Sequence, residues 1–207
     1  MPYTNRVLVM RHPQTQGNLE DVFVGQKNSP LSELGQKQCQ EAVQALIAWK
    51  PERIISSPLK RCLAIAKPVS EKLNLELEID PEIIEMNFGV IEGIKTKDLY
   101  KQGIKFPWQI DEDVPFVEGA ESMSELKSRV GSAFDRYAKD ARRSALICHG
   151  GVMRTIAAHV LGLDAKHTFK LVCNNVSSCI YQIHEGSAFV EGLFLNPSEL
   201  IERAKHE

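Results

Sequence analysis

Apolar positions along the chain alternate between two periods. Residues 7–10, Val-Leu-Val-Met, form a short unbroken apolar run, as expected for a strand buried on both faces. After Ser32, residues Cys39, Ala42, Val43, Leu46 and Ile47 recur at helical spacing. They predict an amphipathic helix over residues 33–48, capped by Ser32 and ended by Pro51. Residues 53–56 read as a second strand, and residues 59–73 as a helix that Pro68 should kink or split. Residues 75–79 alternate apolar and acidic side chains, as a half-exposed strand does.

From 81 to about 121, Pro, Gly and aromatic residues interrupt every regular pattern, which predicts an irregular insertion with short helices. Ser122 and Glu125 form a capping box. The helix it opens presents Met123, Leu126, Val130, Phe134, Tyr137 and Ala141 on one face. Residues 145–148 read as a buried strand. Gly150-Gly151 opens a helix that runs to Leu161, with Gly162 placed to stop it. Residues 177–183 and 188–194 predict two strands joined by a Glu185-Gly186 hairpin at the sheet edge.

Strand alternating with helix predicts an α/β three-layer sandwich. Its central sheet is mostly parallel, helices cover both faces, and the 81–121 insertion lies over the C-terminal edge of the sheet. The 207 residues suit one such domain spanning 1–207. A net charge of -2 and the absence of a basic patch argue against nucleic acid as a partner. No apolar run approaches the roughly 20 residues needed to cross a membrane, and the N-terminus lacks the pattern of a secretory signal. Five irregularly spaced cysteines with no C-x-x-C fit a reducing cytoplasm, and no carboxylate-His cluster has metal-ligand spacing. Asn175-Val176-Ser177 has the form of a glycosylation acceptor, which carries little weight without secretion.

In parallel sheets, ligands bind beyond the carboxyl ends of the strands. Here the first strand runs into Arg11-His12, the second into Ser57-Pro58 with Arg61 one turn on, and the 145–148 strand into His149-Gly150-Gly151. Two arginines can grip one phosphate, and the N–H groups of the helix starting at Gly150 favour an anion. One histidine can attack phosphorus while the other stabilises the transferring oxygens. A proton donor for the leaving alkoxide is also needed, and a cramped, anionic pocket would keep a carboxylic acid protonated for it; Glu85 and Glu92 stand in a suitable segment.

Four stretches in this order resemble the histidine phosphatase superfamily, also called the phosphoglycerate mutase-like family: "RHPQTQGN", "SSPLKRCLAIA", "EMNFGVIEG" and "CHGGVMR". With "LSELGQKQ" they span about residues 6–184. The resemblance implies a metal-independent, cofactor-free phosphomonoester phosphatase. His12 would carry the phosphoryl group, and Arg11, Arg61 and His149 would bind it, helped by Asn18 and the Gly150 N–H. Glu85 would be the general acid and base; Glu92 is the alternative acid, or else a structural partner capping the "EG" turn. Thr15 and Gly25 match positions that border the family's pocket. A homodimer is common in the family, but no interface can be read from the sequence.

Several positions depart from the family pattern. Pro13 replaces a glycine, Ile91 stands where many phosphatases have Trp, Ile65 where Thr is common, and Ala120 replaces a glycine. Phe88 stands where mutases usually carry Tyr, and the insertion lacks their Arg pair; its only cations are Lys95, Lys97, Lys101 and Lys105. These departures favour hydrolysis over the alternatives, a phosphoglycerate mutase or a non-catalytic phosphate-binding module. The expected substrate is a small phosphorylated metabolite with a partly apolar leaving group and no second phosphate. α-Ribazole 5′-phosphate is a candidate that the resemblance suggests. Phe106, Trp108 and Phe116 are expected to line the substrate mouth or to form a minor core. His159, His167, His184 and His206 are expected to be non-catalytic, and Arg154 to brace the site from its helix.

Overall fold

The apolar run at residues 7–10 becomes the middle of a sheet. In the computed structural model, which describes residues 5–140 and 142–206, strand β1 (Arg6–Arg11) leads into a one-turn helix α1 (Gln16–Leu19) and then α2 (Glu33–Trp49). Strand β2 (Arg53–Ser56), helix α3 (Lys60–Leu73) and strand β3 (Leu77–Ile79) follow. The insertion holds 3-10 turns at Pro81–Ile83, Gly89–Ile91 and Pro107–Gln109, together with helix α4 (Thr96–Lys101). After it come α5 (Met123–Ala138), β4 (Ser144–Cys148), α6 (Gly150–Leu161), α7 (Ala165–Thr168), β5 (Ser178–His184), β6 (Ser187–Leu195) and α8 (Pro197–Ala204). Ala141, expected on the apolar face of α5, lies outside the described residues.

The sheet order is β3-β2-β4-β1-β5-β6. β1 through β4 run parallel, while β5 and β6 return antiparallel along one side. Alternation along β1 divides the core. Val7 and Val9 pack with Leu146, Val130, Phe134 and Ile156 under α5 and α6. Leu8 and Met10 pack with Ala145, Leu46, Ile65 and Leu200 under α2, α3 and α8. Each such side chain, fully removed from water, contributes about 1.5–3 kcal/mol. Both faces must be covered, so the run could not alternate with polar residues. A separate aromatic cluster around Ile91, Leu99 and Phe106 holds the insertion together.

Local signals set most element ends. Ser32 accepts the Gly35 N–H at 3.0 Å, and Ser122 and Glu125 form the reciprocal capping box. Gly162 ends α6 at φ 66°, and Glu185-Gly186 turn the hairpin with φ 49° and 77°. Pro68 does not split α3, which continues through it from Lys60 to Leu73. A proline leaves the carbonyl four residues earlier without its helical donor. Here that carbonyl belongs to Ala64, and the Cys39 thiol of α2 donates to it at 3.2 Å. The replacement bond comes from a neighbouring helix, so nothing around Pro68 in sequence reveals it. Helices α1, α7 and α8 are too short or too polar to have been predicted.

Candidate active site

Three parallel strands end level with one another. Arg11 pairs with Cys148 across β1 and β4, and Ser56 with Ile147 across β2 and β4. The His12 N–H continues the ladder onto the Cys148 carbonyl at 2.9 Å, and the Ser57 N–H onto Ile147 at 3.0 Å. His12, Ser57 and His149 are thereby set side by side at the carboxyl edge. The His12 and His149 rings lie 5.3 Å apart, centroid to centroid, at 58°.

His12 is 3% exposed, and its Nδ1 lies 2.7 Å from the Pro13 carbonyl. A carbonyl only accepts, so Nδ1 carries the proton and Nε2 keeps its lone pair. Burial, then the Arg61 and Arg11 charges, hold His12 well below the ordinary imidazole value, so the ring is neutral at pH 7. Pro13 lacks an N–H, yet what the site takes from position 13 is its carbonyl, which proline retains.

His149 is fully buried. Arg61 Nε donates to its Nδ1 at 3.2 Å, which places the remaining ring proton on Nε2, 2.6 Å from Ser57 Oγ. Burial and the neighbouring Arg61 lower its pKa as well. Cys62 Sγ lies 3.5 Å from His149 Nε2, but burial pushes its thiol up to about 12. It is therefore not a thiolate nucleophile.

Two guanidiniums face these rings. Arg61, 3% exposed, is held by the Gly25 carbonyl at 2.6 Å and the Lys27 carbonyl at 2.8 Å. Gly25 turns at φ 54° to present that carbonyl, and a side chain there would collide with Glu92. Arg11 Nη1 donates to the Cys173 carbonyl at 2.7 Å, while its buried Nε has no partner. Among the described residues neither arginine is ion-paired. One buried and one half-buried positive charge, with an orphaned buried donor, favour an anion from outside the chain.

Glu85 lines the same cavity. Its Oε1 accepts the Met86 N–H at 2.9 Å, and its Oε2 accepts the Gly151 N–H at 3.3 Å from the first turn of α6. Glu92 instead braces the loops: its Oε1 accepts from Gln26 N at 2.9 Å and Phe88 N at 3.1 Å. Thr15 caps α1, and its Oγ1 and the Asn18 Oδ1 each accept the other's N–H, at 3.2 and 3.1 Å. The Asn18 amide nitrogen has no protein partner among the described residues. Gly150 opens α6 against Arg11, where an added Cβ would stand 3.3 Å from Arg11 Nε. All nine residues expected in the site are thus brought to one place.

Two contributors had no local signal. Arg129 on α5 meets the Glu121 carboxylate through Nε and Nη2 at 2.6 and 2.9 Å. Its Nη1 donates to the Glu82 and Ile84 carbonyls at 2.7 and 2.9 Å, and its Nη2 to that of Glu85 at 3.3 Å. One guanidinium thus clamps the backbone that carries Glu85. Asn175, the formal glycosylation residue, donates its amide to the His12 carbonyl at 3.0 Å. Its role is to hold the loop after β1.

The cavity measures about 810 Å³. Phe23, Phe88, Trp108 and Phe169 line it, while Phe106 is buried beneath, stacked on Trp108 at 4.8 Å. Phe116 packs on that cluster and on Phe88. None of the four insertion lysines reaches the cavity; its cations beyond Arg11 and Arg61 are Arg154, Lys166 and Lys170. The expectation of a leaving group without a second phosphate rests on the insertion's few cations, but the neighbouring α6–α7 segment supplies others to the cavity. His167 lines the mouth with Nδ1 on Asp164 at 2.6 Å, and His159 bonds Asp135 on the surface. Arg154 Nε donates to the Leu171 carbonyl at 2.7 Å while lining the cavity.

Among the described residues no group of His, Cys, Asp and Glu is placed to hold a metal, and no helix is long and apolar enough to cross a membrane. The model of the "Histidine phosphatase superfamily (branch 1)" matches residues 7–196. A relative named "Probable phosphoglycerate mutase GpmB", from Escherichia coli O1:K1, is 30% identical over 83% of this chain and 82% of its own. Phosphoserine phosphatase 1 of Hydrogenobacter thermophilus is 26% identical over 87% of each chain. Among solved structures, a mycobacterial glucosyl-3-phosphoglycerate phosphatase superposes with a TM-score of 0.82 at 24% identity, covering 93% of this chain and 100% of the other. The α-ribazole phosphatase of Shigella flexneri superposes at 0.80 and 24%, covering 92% and 96%.

Proposed function

Because the chain belongs to branch 1 of the histidine phosphatase superfamily, we propose that it hydrolyses phosphomonoesters through a phosphohistidine on His12. The observation that carries this reading is a pair of guanidiniums without ion-pair partners, Arg61 buried and Arg11 half-buried, facing two neutral imidazoles, one with its Nε2 lone pair free.

A phosphate ester enters with its equatorial oxygens against Arg11, Arg61, the N-terminal N–H groups of α6 and Asn18. His12 Nε2 attacks phosphorus. The P–O bond to the leaving group breaks, and its electron pair goes to the ester oxygen, which Glu85 protonates. The arginines stabilise the charge on the transferring group, and His149 joins them by turning its Nε2 proton from Ser57 to a phosphoryl oxygen. Glu85 then takes a proton from water, the water oxygen attacks phosphorus, and the N–P bond returns its electrons to His12. Phosphate leaves, and the protein is restored without metal or cofactor.

The aromatic wall favours a leaving group with an apolar part. A hydrolysis panel should therefore contain α-ribazole 5′-phosphate, phosphoserine and glucosyl-3-phosphoglycerate. Rapid quenching during turnover of 4-nitrophenyl phosphate, followed by mass spectrometry at alkaline pH, should locate phosphate on His12. His12→Ala should lose at least about a thousandfold in turnover. Turnover of that variant at the wild-type rate would sink the assignment.

The 30% relative's name favours a second reading, a phosphoglycerate mutase. Incubation with 3-phosphoglycerate and a bisphosphate primer separates the two. Free phosphate supports hydrolysis, and 2-phosphoglycerate supports isomerisation.

A further inference from the structure

The cavity is far larger than one phosphoryl group needs; about 810 Å³ lies within the range of sites that enclose whole small molecules. With Arg11 and Arg61 committed to phosphate, three lining cations remain: Arg154, Lys166 and Lys170. The lining carboxylates are Glu85 and Asp21, and Asp21 accepts the Thr96 hydroxyl at 3.0 Å. Apart from the groups committed to the phosphoryl group, the lining therefore carries excess positive charge.

Its placement is specific. Lys166 lies in α7, and Phe169 continues the helical conformation after it, so Lys166 and Lys170 stand one turn apart on one face. Like charges at that spacing repel. Neither lysine is within ion-pair distance of a carboxylate among the described residues. Asp164, the acid nearest in sequence, caps α7 and holds His167. Arg154 ties α6 to the same segment through the Leu171 carbonyl. Phe169, between the two lysines in sequence, packs on Trp108 of the aromatic wall at 4.9 Å, while Arg154 also borders Arg11 and Glu85 in a smaller adjoining pocket.

We infer that Lys166 and Lys170 form a second anion subsite at the mouth of the cavity. Its ligand is a phosphomonoester whose leaving group has an apolar middle and a carboxylate or second phosphoryl group at its far end. The inference rests on the phosphatase reading for the word ester, but the subsite can be tested without any bond being broken.

The test is calorimetric titration with three non-hydrolysable probes: benzylphosphonate, 4-carboxybenzylphosphonate and benzene-1,4-bis(methylphosphonate). The wild-type protein should bind at least one anion-tipped probe about tenfold more tightly than benzylphosphonate, the effect of one well-placed charged hydrogen bond. Added salt should shrink that preference, because the lysines are exposed. The Lys166→Ala, Lys170→Ala double variant should retain less than about a twofold preference. Equal binding of all three probes by the wild-type protein overturns the subsite, as does a preference that survives the double substitution. Binding of none of them overturns it together with the phosphoryl pocket. A preference that holds while no phosphohistidine forms sinks hydrolysis and leaves the subsite standing.

Discussion

Gly151→Ala separates catalysis from folding at a single atom. Gly151 lies in the first turn of α6, and its N–H bonds Glu85 Oε2. A Cβ on Gly151 would intrude on Glu85 Oε1, about 1 Å inside ordinary van der Waals contact. The φ of Gly151 is not positive, so the backbone accepts alanine without strain. Helical propensity favours the substitution by up to about 1 kcal/mol. The atom that must give way is the tip of a flexible side chain, so the melting temperature should stay within about 3 °C of wild type. The displaced tip is the proposed general acid, and a 1 Å misplacement can cost about 100-fold. The expected result is a kcat/KM about 100-fold lower for an alkyl phosphate. The fall should be smaller for 4-nitrophenyl phosphate, whose leaving oxygen needs little protonation. A stable variant with kcat/KM within twofold of wild type for both esters would refute the role of Glu85.

Arg129→Lys keeps the charge but loses the fork that spans three carbonyls and Glu121; kcat should fall about tenfold or more with a displaced pH profile, and an unchanged profile would make Arg129 purely structural. Pro13→Gly keeps the carbonyl that holds His12, so turnover should stay within about threefold while stability drops by about 1 kcal/mol in chemical denaturation. His12 and His149 both titrate below the ordinary imidazole value when folded, and unfolding frees them to take protons at about pH 6.5. Their contribution to stability is complete above that pH and is lost as pH falls toward their lowered folded values. The melting temperature of the ligand-free protein should therefore decline below about pH 6.5, and His149→Gln should make the decline shallower; parallel curves would refute the assignment.

The sequence by itself determined the longer elements and the centre of the candidate site. Helix caps at Ser32 and Ser122, the stop at Gly162 and the double-sided apolar runs of β1 and β4 act over a few residues, so their outcome is legible locally. Arg11, His12, Ser57 and His149 were legible as a group because parallel strands deliver their following residues to one edge, whatever the details of packing. Tertiary structure alone decided the rest. Arg129 reaches Glu85 across 44 residues and Asn175 reaches His12 across 163, each through a side chain on a backbone carbonyl that no periodicity marks. Pro68 stays helical because Cys39 of another helix satisfies the carbonyl it frees. The cavity's lysines, Lys166 and Lys170, belong to a segment later than the insertion. Trp108 of the insertion packs on Phe169 of that segment. Local patterns report what the chain does to its own neighbours, whereas these contacts exist only once the sheet and its coverings have closed.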